Sequence, residues 1–162
     1  MTHLNTLFFQ VYPYIVAVVC LLGSWARFDH AGYTWRSGSS QLLSGRWMIA
    51  GSNLFHIGVL AILGGHLVGL LTPHSVYAPL MTAGQKQILA MVIGGLFGIV
   101  CLAGLVMLLL RRLFDRRVRA TGSARDTLVL VLLLAQLLLG MASFSVSAGH
   151  LDGSQMVRLA EW

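Results

Sequence analysis

The chain alternates long apolar runs with short polar connections. Four runs stand out, from about Leu4 to Ala26, Ala50 to Leu71, Ile88 to Leu110 and Asp126 to Ser147. Each holds about 20 residues, the length at which a helix crosses a hydrocarbon core about 30 Å thick. The pattern predicts an all-α fold, a polytopic transmembrane helical bundle with four spans in one membrane domain over residues 1–162. Pro13 falls inside the first run and predicts a kink there, with neighbouring helices satisfying the freed carbonyl.

Composition strengthens the membrane reading. The 162 residues are 57% hydrophobic and 10% charged, against about 25% charged in an ordinary soluble domain. With a mean hydropathy of +0.79, an independent soluble domain is not expected. Cys20 and Cys101 lie within apolar runs, at no metal-binding spacing, and read as small packing residues. The N-terminus lacks a basic segment and a small-residue cleavage site, so no removable signal peptide is expected.

Charge sets the orientation. The first connection carries Arg27, Arg36 and Arg46, and the third carries Arg111, Arg112, Arg116, Arg117, Arg119 and Arg125. The second has only Lys86 and the C-terminal segment only Arg158, giving nine basic residues on one side and two on the other. Cytoplasmic connections carry the excess of Lys and Arg, so the N-terminus is expected outside, with the first and third connections inside. Trp25, Tyr33, Trp35 and Trp47 around the first connection suit an inner aromatic belt. The arginine run faces anionic lipid or a partner. It has no nucleic-acid-binding module around it, and nucleic acid is not expected as a partner.

Two residues break the apolar pattern most sharply. His56 and His66 lie ten residues apart in the second run, about 15 Å along a helix axis and about 80° apart around it. An ionisable side chain in a span is costly and points to a functional site. The plainer reading is that each His hydrogen-bonds a neighbouring helix. Two in one helix, flanked by Gly58, Gly64, Gly65 and Gly69, favour axial ligation of two haems at two depths, because glycine lets a flat macrocycle approach the backbone. The same glycines also suit helix packing, Gly65/Gly69 and Gly94/Gly98 being GxxxG pairs. With the predicted orientation, His56 lies in the inner half of the membrane and His66 in the outer half.

Lys86 is on the same side as His66. It suits an interfacial lysine, or a donor to a quinone oxygen. Arg111 and Arg112 suit a helix C-terminus or a haem propionate. His3, His30, His74 and His150 fall near helix ends and read as interfacial, while Gln10 and Gln136 are expected to bond across helices. No nucleophile triad, phosphate loop, dinucleotide fingerprint or paired-carboxylate site appears. None of the five acids lies deep in a span, which argues against a small transporter built on membrane carboxylates.

These residues together resemble a known family. Tyr12-Pro-Tyr-Ile, Gly23-Ser-Trp, Tyr33-Thr-Trp-Arg, Ser52-Asn-Leu-Phe-His-Ile-Gly, Gly65-His66, Leu71-Thr-Pro-His, Arg111-Arg-Leu-Phe, Arg117-Val-Arg-Ala-Thr and His150-Leu-Asp-Gly-Ser resemble, in order and along the whole chain, the gamma subunit of bacterial respiratory nitrate reductase, a membrane dihaem cytochrome b. The resemblance implies a multi-pass protein of the bacterial cytoplasmic (inner) membrane with its N-terminus periplasmic. It implies two haems b and oxidation of quinol at the outer face. Electrons would pass inward to an iron–sulfur beta subunit and then to a molybdenum alpha subunit that reduces nitrate. His56 would ligate the inner haem iron and His66 the outer one, Arg112 would meet a propionate, and Gly65, His66 and Lys86 would hold quinol. The family has a fifth helix carrying the second His of each haem, and this sequence ends at Glu161-Trp162 before it. One ligand per haem, and no quinol turnover by this chain alone, are therefore the expectation. The alternative from another class is a haem-free membrane anchor for soluble partner subunits.

Overall fold

Among the described residues every regular element is a helix. The structure, a computed structural model, describes residues 2–34, 45–149 and 151–153. The chain divides into two units, Met1–Ser39 and Ser40–Trp162.

In the first unit, α1 (Thr2–Thr6), a π-helical turn (Leu7–Val11) and α2 (Tyr12–Ala31) follow one another without a break and end in a 3-10 turn, Gly32–Thr34. At the expected kink the α-helix gives way to the π turn. Pro13, in the first turn of α2, has no N–H for the carbonyl four residues earlier, and just before it the Tyr12 N–H donates to Leu7 O at the wider π spacing. The apolar run from Leu4 to Ala26 is thus divided among the end of α1, the short π segment and α2.

Among the described residues, the three helices long and apolar enough to cross a membrane lie in the second unit. These are α3 (Arg46–Leu71), α5 (Ala83–Phe114) and α7 (Ala124–Ala148). A short helix, α4 (His74–Tyr77), links the first two, and α6 (Arg116–Thr121) links the last two. The helices begin where side chains satisfy the free N–H groups of a first turn. At α5 the Thr82 hydroxyl accepts from Gln85 N–H at 3.2 Å, and the Gln85 side chain accepts from Thr82 N–H at 2.9 Å. This reciprocal cap starts α5 five residues before the apolar run. At α7 the Asp126 carboxylate accepts from Ser123 N–H at 3.0 Å.

α3 and α5 pack antiparallel through small residues. A methyl group on Gly58 would stand 2.6 Å from the backbone N of Cys101, and one on Gly51 would stand 3.1 Å from Met107 Cβ. One on Gly104 would overlap Phe55 N and lie 2.7 Å from Gly51 O. Without Cβ atoms the two backbones come close enough for dispersion to hold them, which is what associates helices when lipid is as apolar as the side chains. Cys101 and Leu105 are buried in this seam, so Cys101 is the packing residue expected, while Cys20 is exposed on α2. The Gly94/Gly98 pair also packs, with Gly94 and Gly95 facing the Phe144 ring and Gly98 facing Met141 of α7. Among the described residues the Gly65/Gly69 pair does not: a methyl group at either position meets nothing within 4 Å.

Polar ties join the helix ends. Arg112 closes one end: its Nη2 donates to Asp126 Oδ2 at 2.6 Å and to Ser123 O at 3.0 Å, and its Nε donates to Thr127 Oγ1 at 3.2 Å. At the other end Gln87, buried on α5, donates to Ser147 O at 3.1 Å and accepts from Gly153 N–H at 3.0 Å. Gly153 has φ +75°, and a methyl group there would stand 2.5 Å from the Ala83 carbonyl carbon, so glycine is required on both counts. Gln136 differs from expectation. It is exposed on α7 and makes no hydrogen bond among the described residues. The Gln10 side chain, Trp35, Arg36, His150 and Arg158 lie outside what is described.

Most large apolar side chains of α3, α5 and α7 are exposed, and α7 buries none of its residues. In water such a surface would aggregate, whereas in a bilayer it meets lipid or another helix.

Candidate functional site

The antiparallel pairing sorts the charges. Arg46 at the start of α3, Arg111 and Arg112 at the end of α5, the arginines of α6 and Arg125 at the start of α7 share one end of the unit, and Lys86 stands at the other. His56 lies in the half near the arginines, between the levels of Gly51 and Gly58. His66 lies in the half near Lys86, whose Nζ donates to Gly69 O, less than one turn beyond His66, at 3.2 Å.

Both imidazoles take the same local arrangement. His56 Nδ1 donates to Ser52 O at 2.7 Å, and His66 Nδ1 donates to Ile62 O at 2.8 Å. A carbonyl oxygen only accepts, so Nδ1 carries the proton and Nε2 keeps its lone pair. This is the tautomer a metal-ligating histidine needs, oriented by a backbone acceptor behind it. Both residues are exposed on α3. His30 makes the same kind of bond, Nδ1 to Ala26 O at 3.0 Å, but at the end of α2 beside Asp29. The bond alone is therefore an ordinary resting place for a helical His. What distinguishes His56 and His66 is its repetition at two levels of an apolar helix, where no second polar partner accompanies Nε2 among the described residues.

The surroundings of the two rings differ. His56 meets the Phe55 ring edge to face, with centroids 5.4 Å apart. The expected role of Gly58 as an opening beside His56 is not met, because Gly58 is buried against Cys101. Near His66, a methyl group on Gly64, Gly65 or Gly69 would meet nothing within 4 Å among the described residues. Among the described residues no three His, Cys, Asp or Glu side chains converge on a metal position.

Lys86 is more engaged than its sequence position implies. Besides Gly69 O it reaches Thr72 O at 3.4 Å, and it sits over the Tyr77 ring at 4.0 Å. Its ammonium thereby caps the last carbonyls of α3, the favourable end of a helix for a cation. His74 packs edge to face on the other part of Tyr77, centroids 5.1 Å apart. Arg112 is committed to the tie with α7, which leaves its Nη1 for any propionate. Sequence reasoning missed Gln87, which reads as one more polar residue in a connection. Its signal is its place beside Lys86, since the two neighbours bind α7 and α3 respectively.

Fold and site together define an all-α membrane protein that offers two metal-ready imidazoles at two depths of one span. A family model described as nitrate reductase gamma subunit matches residues 5–162, and the chain belongs to that family. It is 50% identical to the respiratory nitrate reductase 1 gamma chain of Escherichia coli over 162 residues, covering 100% of this chain and 72% of that one. It is 49% identical to the respiratory nitrate reductase 2 gamma chain of the same organism, covering 99% and 71%. It is 42% identical to the nitrate reductase gamma chain of Bacillus subtilis, covering 82% and 60%.

Proposed function

We propose that this chain is the haem b-carrying, quinol-oxidising membrane subunit of a respiratory nitrate reductase. His56 and His66 would hold the inner and outer haem iron through Nε2, and Gly65, His66 and Lys86 would border the quinol site. The single observation that carries the reading is the paired imidazole geometry: two Nδ1–H groups held by carbonyls one turn back, and two Nε2 lone pairs presented at two levels. When bound, haem b supplies one-electron transfer between ferric and ferrous iron.

The chain's own part is to hold, orient and insulate. The α3 backbone fixes both rings, the open glycines beside His66 leave room for a flat group, and the Gly51–Gly58–Gly104 seam keeps α3 rigid against α5. At the Lys86 end, an ammonium N–H not given to Gly69 or Thr72 is available to a quinol oxygen. The arginine end faces the cytoplasm by the positive-inside rule. It is where electrons leave for an iron–sulfur beta subunit and a molybdenum alpha subunit. Protons released at the opposite end stay outside, so charge separates without a pump.

A pyridine haemochrome assay on the purified complex tests this reading. Two haems b per gamma chain are expected, and a b-type signal absent from the membrane subunit would return it to a haem-free anchor. For Lys86→Ala, weaker binding of a quinol analogue with normal haem content is expected. The lost ammonium–carbonyl bonds should also lower the stability of the α3 end by about 1.5–3 kcal/mol. Titration of the analogue against a haem spectrum reads both, and loss of haem would make Lys86 purely structural.

A further inference from the structure

Ser52 distinguishes the two imidazoles. His56 Nδ1 lies 2.7 Å from Ser52 O and 3.3 Å from Ser52 Oγ, so two oxygens of one residue face a single N–H. Among the described residues His66 Nδ1 has Ile62 O alone, at 2.8 Å, and the isoleucine side chain offers no acceptor. The backbone acceptor is the same at both sites, so on the Nδ1 side of the two rings the hydroxyl is the added difference.

We infer that Ser52 is a positioning residue that sets the potential of the haem held by His56; this rests on the haem assignment above. An acceptor behind Nδ1–H draws the proton outward, leaves more electron density on the ring and makes Nε2 the stronger donor. A stronger axial donor favours ferric over ferrous iron and lowers the midpoint potential, hydrogen bonding around axial ligands being one of the protein's means of adjusting it. The hydroxyl adds a second acceptor at His56 only. It also restrains the ring's rotation about its own axis, since the N–H must lie between two oxygens of the same residue.

The test is an optical redox titration of the complete nitrate reductase complex carrying gamma-chain variants. The His56-linked haem is identified as the component lost in His56→Ala, and the other as that lost in His66→Ala. Ser52→Ala, which fits wherever serine does in a helix, is expected to raise the midpoint of the His56-linked component and leave the other unmoved, with both haems retained. Ser52→Thr keeps a hydroxyl and is expected to titrate as the parent does. An unchanged midpoint in Ser52→Ala with both haems present overturns the inference, as does an equal shift of both components, or Ser52→Thr behaving like Ser52→Ala. Absence of b-type absorption in the parent complex sinks the haem assignment itself, so the two failures are told apart.

Discussion

Replacing His66 with alanine is expected to abolish nitrate reduction driven by quinol while leaving intact the reduction driven by an artificial dye that donates directly to the partner subunits. The ring holds its Nδ1–H on Ile62 O and has Nε2 to give. Alanine removes that nitrogen and changes little else, because His66 is exposed and spans no helix contact among the described residues. Loss of a residue that merely orients a metal ligand costs about 10–100-fold. Loss of the ligand itself should therefore lower quinol-driven turnover by at least about 100-fold. Parallel assays with the two donors on one membrane preparation make the measurement. Survival of both activities would remove His66 from the electron path, and loss of both would mean that the complex fails to assemble.

The second large effect concerns packing. Gly104→Ala is expected to loosen the α3–α5 seam, and Gly140→Ala is not. A Cβ at 104 collides with Phe55 N and Gly51 O, which are backbone atoms and cannot turn away as a side chain would. Overpacking of this kind costs about 1–3 kcal/mol even where side chains give way, so the upper end or beyond applies here. At Gly140 a methyl group meets nothing within 4 Å, and the same substitution should stay within about 1 kcal/mol. Thermal unfolding of the two variants in detergent, side by side, reads the difference. Because Phe55 and Gly51 lie within a turn and a half before His56, Gly104→Ala should also broaden or shift the spectrum of a haem held there as proposed above.

Helix positions were largely legible in the sequence. The runs at about Ala50–Leu71, Ile88–Leu110 and Asp126–Ser147 fall inside α3, α5 and α7, since apolarity over about 20 residues leaves the backbone few alternatives in lipid. Their ends were less legible, because caps such as Thr82/Gln85 extend a helix into polar sequence. Histidines in an apolar run are visible for the same reason that they are costly.

The seam between helices was not legible. Small residues mark where backbones can approach, yet sequence does not say which do. Gly65/Gly69 has the motif and stands open, whereas Gly51, Gly58 and Gly104 carry the contact without a GxxxG spacing. Arg112 suited a propionate, and its partner Asp126 lies across a connection whose path only coordinates reveal. Ser52 stood in plain view beside His56, but its hydroxyl acquires meaning only with the Nδ1 distances.

The ten residues between His56 and His66 carry one more consequence. About 15 Å of axial rise is about half the hydrocarbon thickness. With the inside negative, an electron passed inward between haems held there, as proposed above, would climb about half the transmembrane voltage, about 1 kcal/mol for each 100 mV. An energised cell would thus brake its own respiration at this single hop, and the spacing of two side chains on one helix would set how strongly.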